Sequence, residues 1–532
     1  MYRNLFISTF IILFAHNVKC QEPFSLKYFG TLTLENHFYN SEFLFSQSLR
    51  GLSYFPNNKN IFIDSLVYSE IYNNYNPQGK SWFSRKLFYE NLFDKDSSSI
   101  HLEVNPELNL ILKKSFDQGE SLYTNTRGVR LYLNIHDRLF ITSNFYENQS
   151  HFPDYINSFI REYRVVPGHA RPRGFKNLGH DYYWAIGKVV YKPNEYNILL
   201  AGHGKQFVGN GYRSHLLSDV AFNYPHIQYV HRSSLFQYSK TLALLRSSLV
   251  PVQDISPGQE KTAVFHNLAT QLSEKLEIGL FEGNIVSNPD SSGNYSFYVG
   301  YVNPVPVLNS FLPYNNIETH SVIGFNLNYR PSHLLNLYGQ LAFDDPFENS
   351  NSVDITNKWG GQVGIKVFEP FQIDNLILNS ELNVSAPYSY GDKNPRLSYS
   401  HYNQPLAHPF GANFIENVNW LFYRKKRFAF QAEVLFARYG TDKDGAHFGK
   451  NIDRSLAAIP TDRLNPNRFI QGEETRLFYM DLQCSWIINP AYDLKVFVSY
   501  QARKETSASV NYVNSWIGIG MKTRVVNSYF DF

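Results

Sequence analysis

The sequence predicts an all-β fold: a transmembrane antiparallel β-barrel of about 18 strands, with a small, partly helical N-terminal region that is periplasmic or plugs the barrel. Three observations predict it. Two-faced alternation recurs over segments long enough to cross a bilayer, the composition is aromatic yet polar, and an export-type leader is followed by no apolar helix.

The alternation is clearest in 101–112. Leu102, Val104, Pro106, Leu108, Leu110 and Leu112 share one face, against His101, Glu103, Asn105, Glu107 and Asn109 on the other. A period of two places successive side chains on opposite faces of a strand, so polarity is segregated. Segment 477–486 repeats the pattern: Phe478, Met480, Leu482, Cys484 and Trp486 against Tyr479, Asp481, Gln483 and Ser485. Its successor sets Tyr492, Leu494, Val496, Val498 and Tyr500 against Asp493, Lys495, Ser499, Gln501 and Arg503. The same pattern occurs at 129–135, 335–343, 359–367, 376–384, 428–436 and 517–525. These lengths approach the roughly 9–11 residues that a tilted strand needs to cross hydrocarbon, whereas soluble strands average about 5–6. Only a closed barrel leaves no unpaired sheet edge in lipid.

From residue 100 onward, roughly 24 residues per strand with its connection gives about 18 strands, an even number as such barrels have. The chain ends Tyr529-Phe530-Asp531-Phe532, an aromatic terminus common in outer-membrane barrels. Residues 21–99 read as a separate mixed region. Within it, Ser81–Phe93 has helical spacing: Trp82, Lys86 and Tyr89, or Phe83, Leu87 and Glu90. The clusters of Asn, Asp, Ser, Pro and Gly at 286–294, 345–353 and 440–451 read as loops.

Residues 1–20 read as an export signal, with Arg3 as the charged start and Leu5 to Ala15 as an apolar stretch too short to span a bilayer. Val18 and Cys20 suit cleavage before Gln21; a lipoprotein signal on Cys20 is the alternative, which Lys19 fits poorly. Loss of Arg3 and Lys19, with no acidic residue in that stretch, takes the net charge from +3 to +1. That balance offers no electrostatic case for nucleic acid. The mature chain keeps Cys484 alone, so an internal disulfide is not expected. With 38 Tyr and 43 Phe at a mean hydropathy of −0.34, the composition suits lipid-facing residues, aromatic girdles and a polar lumen together. The place expected for such an exported barrel is the outer membrane of a Gram-negative cell, with lipid as its first partner.

No motif requires a cofactor, a metal or a catalytic residue. Gly202-His-Gly-Lys205 lacks the spacer and the following Ser or Thr of a phosphate loop, and its glycines with Gly209 and Gly211 read instead as sites of close backbone approach. His203, His401 and His408 match no zinc spacing, and Asp344, Asp345, Glu348 and Asp354 lack calcium-loop spacing. Gly-x-Ser-x-Gly is absent.

Ordered segments resemble one known family. They are Asn125-Thr-Arg-Gly128, Phe145-Tyr-Glu-Asn-Gln149, Val166-Pro-Gly168, Gly202-His-Gly-Lys205, Gly209-Asn-Gly-Tyr-Arg-Ser214 and Leu216-Leu-Ser-Asp219. Gly300-Tyr-Val-Asn-Pro304, Leu337-Tyr-Gly-Gln340, His401-Tyr-Asn-Gln-Pro-Leu-Ala-His-Pro409 and Gly411-Ala-Asn413 follow. Across about residues 80–450 they resemble the RemB-like gliding-motility proteins of the Bacteroidetes, grouped with the capsule-assembly Wzi barrels. The resemblance implies a noncatalytic outer-membrane barrel in surface polysaccharide (capsule) attachment or in gliding motility, with surface polysaccharide and motility or type IX secretion components as partners.

A saccharide site needs aromatic faces for sugar rings and planar polar groups for hydroxyls. Within the family-like segments, Arg127, Glu147, Lys205, Arg213, Asp219, Tyr402 and Asn403 supply such groups. The same residues could instead form a satisfied lumenal network that holds the barrel's shape. The alternative function is a diffusion porin or small-solute channel, which needs an open lumen.

Overall fold

Eighteen long strands close into one antiparallel wall; the 20-stranded sheet includes two short side strands, Phe93–Asp96 and Arg173–Phe175. The structure, a computed structural model, describes residues 78–532 apart from 118, 177, 234, 248–259, 288–295, 312–316, 347–356, 460–467 and 525–527. The export signal expected at 1–20, and most of the mixed region expected at 21–99, lie outside the described residues.

The first wall strands are β1 (Ile100–Ser115), β2 (Ser121–Ile135), β3 (Leu139–His151), β4 (Gly179–Tyr191), β5 (Asn197–Gly204) and β6 (Tyr224–Arg232). Next come β7 (Phe236–Arg246), β8 (Glu260–Ser273), β9 (Leu276–Val286), β10 (Thr319–Ser332), β11 (Leu335–Asp344) and β12 (Trp359–Phe368). The last are β13 (Leu376–Ser385), β14 (Phe414–Lys425), β15 (Phe428–Thr441), β16 (Glu473–Asn489), β17 (Leu494–Thr506) and β18 (Asn511–Lys522). Strand β18 pairs with β1, from Asn109 opposite Lys522 to Ser115 opposite Trp516, and closes the sheet.

Alternation sorts the two faces as the sequence requires. On β16 the inward Leu477, Tyr479 and Ser485 are buried, and the outward Arg476, Cys484 and Trp486 are exposed. Asn105 and Glu107 of β1 point inward and are buried. Outside, Val129, Phe145, Val189, Leu244, Phe325, Val363, Phe436 and Ile519 belong to an exposed apolar belt. Inside lies a dense polar lining that includes Asn326, Asn328, Gln340, Asn379 and Asn383. An apolar outside around a polar inside inverts a soluble protein, and bilayer hydrocarbon is the solvent that stabilises it. The protein is an outer-membrane barrel.

Loop length orients the barrel. Connections such as 136–138, 233–235, 274–275, 333–334 and 426–427 are short at one end, while 152–178, 205–223, 386–413 and 442–472 are long at the other. Short turns face the periplasm in such barrels, so the long loops are extracellular. At the short-turn end, α1 (Trp82–Phe88) is capped by the Ser81 hydroxyl accepting from Ser84 N. Asn489 Nδ2 donates to Lys86 O (2.7 Å) and Glu90 O (3.0 Å), so this helix rests on the periplasmic rim.

Two long loops fold into the barrel. Of residues 204–223 all but Asp219 are buried, and loop 386–413 packs against them through Ser218 N to Leu406 O (2.7 Å) and Tyr399 OH to Leu216 O (2.8 Å). The aromatic chain end is not part of the wall. Strand β18 stops at Lys522, and Tyr529 to Phe532 pack inside the lumen, where Phe530 meets Phe152 and Phe532 meets Phe159 of α2 (Asp154–Tyr163). Asp531 has a cationic partner there that a lipid-facing position would deny it.

Candidate functional site

The plug is anchored through the Gly209-Asn-Gly-Tyr-Arg-Ser214 segment. Glu381 of β13 accepts from Tyr212 N (2.6 Å) and Arg213 N (3.0 Å), and Gln340 of β11 accepts from His215 N (2.9 Å). The two glycines are close-approach positions, as the sequence indicated. A Cβ on Gly209 (φ +136°) would lie 2.1 Å from Gln340 Nε2, and one on Gly211 would lie 2.4 Å from a Glu381 oxygen.

Arg213 holds three chain segments together. Its guanidinium donates to Glu416 of β14 (2.9 and 3.2 Å) and to Asp531 of the terminal tail (2.8 and 3.3 Å), with its side chain fully buried. The rings of Tyr212 and Tyr529 lie 4.6 and 5.1 Å from it. His408 shares Glu416 at 2.8 Å. A planar fork matched to two carboxylates is what arginine, and not lysine, provides.

Asp219 accepts from Tyr529 OH at 2.7 Å. Tyr402 and Asn403 are the central pair of a tight hairpin between Ser400–His401 and Gln404–Pro405, with φ of 51° and 58°. That positive-φ pair suits a primed two-residue turn. Tyr402 meets Phe222 edge-on at 5.5 Å, and Asn403 donates to Tyr163 O at 3.0 Å. The next residue, Gln404, accepts from Gly168 N (2.6 Å) and donates to His169 O (2.9 Å). Several of the family-like segments therefore meet one another in the plug.

Lys205 is buried beside Trp184, 4.9 Å from its ring, and its ammonium has no hydrogen-bond partner among the described residues. Burial pushes its pKa down to about 8 against the pull of Asp219. Burial, reinforced by the Lys205 charge, pushes neighbouring His169 down to about 3.

Arg127 and Glu147 stand apart. They are directly paired across β2 and β3, 3.9 Å apart, on the outer face just above the apolar belt, and both are about half exposed (55% and 52%). Inside, a cavity of about 320 Å³ is lined by residues that include His151, Tyr155, Lys495 and Phe530. Tyr182, Trp184, Tyr212 and Trp420 offer it rings, and Asn148, Gln431, Gln501, Lys113 and Asp481 offer it polar groups. Strand alternation indicated the polar lining, but the meeting of Trp184 with the plug depends on long-range packing.

His203, His401, His408, Asp344 and Asp345 have partners within the protein. His203 bonds Ala185 O, His401 bonds Asn223 O and Arg246 N, and His408 bonds Glu416. Asp344 and Asp345 group with His320, but Lys358 Nζ lies 3.1 Å from each carboxylate and supplies the cation. Asp344 also accepts from Tyr390 N (2.7 Å), so the group anchors loop 386–413 to the wall. Glu348 and Asp354 lie outside the described residues.

No family model matches the chain, and no curated protein matches it. Among solved structures, the chain is similar to Wzi of Escherichia coli, described as an outer membrane protein involved in group 1 capsule assembly and a carbohydrate binding β-barrel. The identity is 12%, over 80% of this chain and 85% of that one, with a TM-score of 0.47. It is also similar to Pseudomonas aeruginosa OprD, at 9% identity over 83% and 98% of the two chains and a TM-score of 0.40. Acinetobacter baumannii OccAB2 follows at 10% identity, 79% and 97% coverage, and a TM-score of 0.43.

Proposed function

We propose that this barrel is a noncatalytic surface protein that holds polysaccharide at the outer membrane, the reading that the RemB-like and Wzi-like resemblance implies. The observation that carries it is the lumenal cavity, which is lined by the rings of Tyr182, Trp184 and Trp420 together with amide and charged side chains. Sugar rings stack on such faces and their hydroxyls bond such planar groups, and about 320 Å³ falls at the lower end of the roughly 300–1,000 Å³ usual for ligand pockets. The cations that line the cavity are Lys113, Lys495 and Lys522, suited to an acidic sugar.

The plug favours binding over diffusion. A loop with nearly every residue of 204–223 buried inside the barrel supports a closed lumen, whereas a porin needs a continuous aqueous path. A role in gliding, with motility or type IX secretion components as partners, belongs to the same proposal: a glycan-holding barrel could serve adhesion as well as capsule. Arg127, Glu147, Lys205, Arg213, Asp219, Tyr402 and Asn403 all lie outside this cavity's lining, so Trp184, which lines it, is the better first target.

The test is a glycan-array screen on the purified barrel with the Trp184→Ala variant beside it. Binding of one saccharide class, lost in Trp184→Ala while the barrel stays heat-modifiable on gels, supports the proposal. Saturable conductance of a small solute through planar bilayers, with no glycan bound, would favour the porin alternative.

A further inference from the structure

The outer wall across β7 to β10 carries a charged row where lipid should be. The outward positions of β7 read Phe236, Tyr238, Lys240, Leu242 and Leu244 up to Arg246, and cross-strand pairing sets Lys240 beside His266 and His266 beside Glu282. Their inward neighbours are lumenal: Phe265 and Phe281 stack on each other, and Phe265 meets Tyr399 of the plug edge-on. Lys240 lies six residues below Arg246, which at ~3.3 Å per residue and ~40° of tilt is roughly 15 Å into a belt about 25 Å tall. Bare charges at that depth would be strongly unfavourable.

They are covered. Segment 296–311, from the connection between β9 and β10, lies flat on the outside of the wall. Beneath it the outward-facing Val264, His266, Glu282, Asn284 and Val286 are all fully buried (0% exposed). The charged row satisfies the segment's irregular backbone. Lys240 Nζ donates to Gly300 O (3.2 Å) and Asn303 O (2.7 Å), and Glu282 accepts from Val307 N and Ser310 N (2.9 Å each). Asn303 Oδ1 accepts from Val305 N (3.0 Å). Tyr298 packs on Val264 and Val286. The opposite side of the segment is apolar and open: Phe297, Val299, Val302, Val305 and Phe311 are 49–68% exposed.

Irregular backbone survives at membrane depth only where its polar groups are satisfied by protein. Here the wall's lysine and glutamate supply that, and the segment presents hydrocarbon outward, continuous with the belt at Leu244, Phe325 and Leu327. We infer that segment 296–311 is a membrane-embedded strap, whose occupant on the Phe297, Val302 and Phe311 face is the acyl chains of the outer leaflet. It replaces a stretch of lipid-facing wall and insulates Lys240, His266 and Glu282 from the bilayer.

Cysteine accessibility tests this in the whole protein. Cells bearing Val302→Cys, Phe311→Cys or Lys393→Cys are treated with a membrane-impermeant maleimide, and labelling is read at each site by peptide mass mapping. Lys393, exposed in the extracellular loop 386–413, is the positive control. Labelling at 302 and 311 should be slower by at least about tenfold, as expected of sites removed from water. In parallel, bimane is attached to Val302→Cys in a Cys484→Ser background, with the background alone as blank, in vesicles containing doxyl-labelled acyl chains. It should be quenched by the lipid label. Labelling as fast as at Lys393→Cys would overturn the inference, because the segment would then stand in water. Slow labelling without lipid quenching would also overturn it, because protein, such as a second copy of the barrel, would be the cover. Glu282→Gln in the Val302→Cys protein should raise maleimide labelling while the barrel remains heat-modifiable; unchanged labelling would remove the wall charge from its sealing role.

Discussion

Arg213→Ala should release the plug without dismantling the wall. The substitution removes the guanidinium shared by Glu416 and Asp531 and leaves two buried carboxylates without it. Breaking a buried pair by deleting one partner costs about 3–5 kcal/mol. His408, 2.8 Å from Glu416, can take up part of the charge, which places the expected loss toward the lower end of that range. The wall is closed by eighteen strand pairings that do not involve Arg213, so the loss should appear as local opening. At about 1.4 kcal/mol per decade, 3 kcal/mol raises the open population of segment 205–223 by roughly two orders of magnitude. Amide hydrogen exchange of the barrel in nanodiscs reads this directly. Peptides covering 205–223 and 528–532 should lose protection together, while β13 and β14 keep theirs. Arg213→Lys should fall between, because an ammonium keeps the charge but not the fork. The triple variant Arg213→Met, Glu416→Gln, Asp531→Asn should recover much of the protection, since no uncompensated charge is left. Unchanged exchange across 205–223 in Arg213→Ala would refute the claim that this fork holds the plug.

Three further outcomes are expected. Met480→Arg, on the outward face of β16, should cost about 2–4 kcal/mol if near the midplane, against little for Met480→Leu, in reversible unfolding of the barrel from lipid. Cys484 shares that face, so in intact membranes it should react slowly with water-soluble maleimides and quickly once the barrel is unfolded in denaturant. Lys205 has its folded pKa lowered to about 8 against an ordinary value near 10.5. A lowered pKa means that the unfolded chain binds the extra proton, so its contribution to stability is full above about 10.5 and is lost as pH falls to about 8. Between those values the melting temperature in detergent should rise with pH more steeply in the wild type than in Lys205→Met, a variant that also removes the cost of the buried charge at neutral pH; parallel curves would count against a buried, desolvated Lys205.

The barrel class and the inward or outward face of the alternating strands follow from the sequence alone, because both rest on local physics. A period of two over 101–112 or 477–486 can satisfy its polar and apolar faces only between a wet lumen and lipid, and chain length then limits the strand number. The same rule contained the first trace of the strap. Lys240, His266 and Glu282 fall on the lipid face by parity, a conflict visible in sequence but resolvable only by the segment that covers them. Tertiary structure decided the rest. Arg213 meets Asp531 across more than 300 residues, Gln404 meets Gly168, and Lys205 meets Trp184, each through side chains whose partners no local spacing specifies. Arg127 and Glu147 belong to family-like segments as fully as Arg213 does, yet face outward above the belt. Strand parity told their face, but only the closure of the wall and the inward fold of its loops determined which polar side chains share a chamber. Alternation acts over two residues, whereas a site is assembled by loop closure and packing over hundreds, where sequence separation carries no distance information.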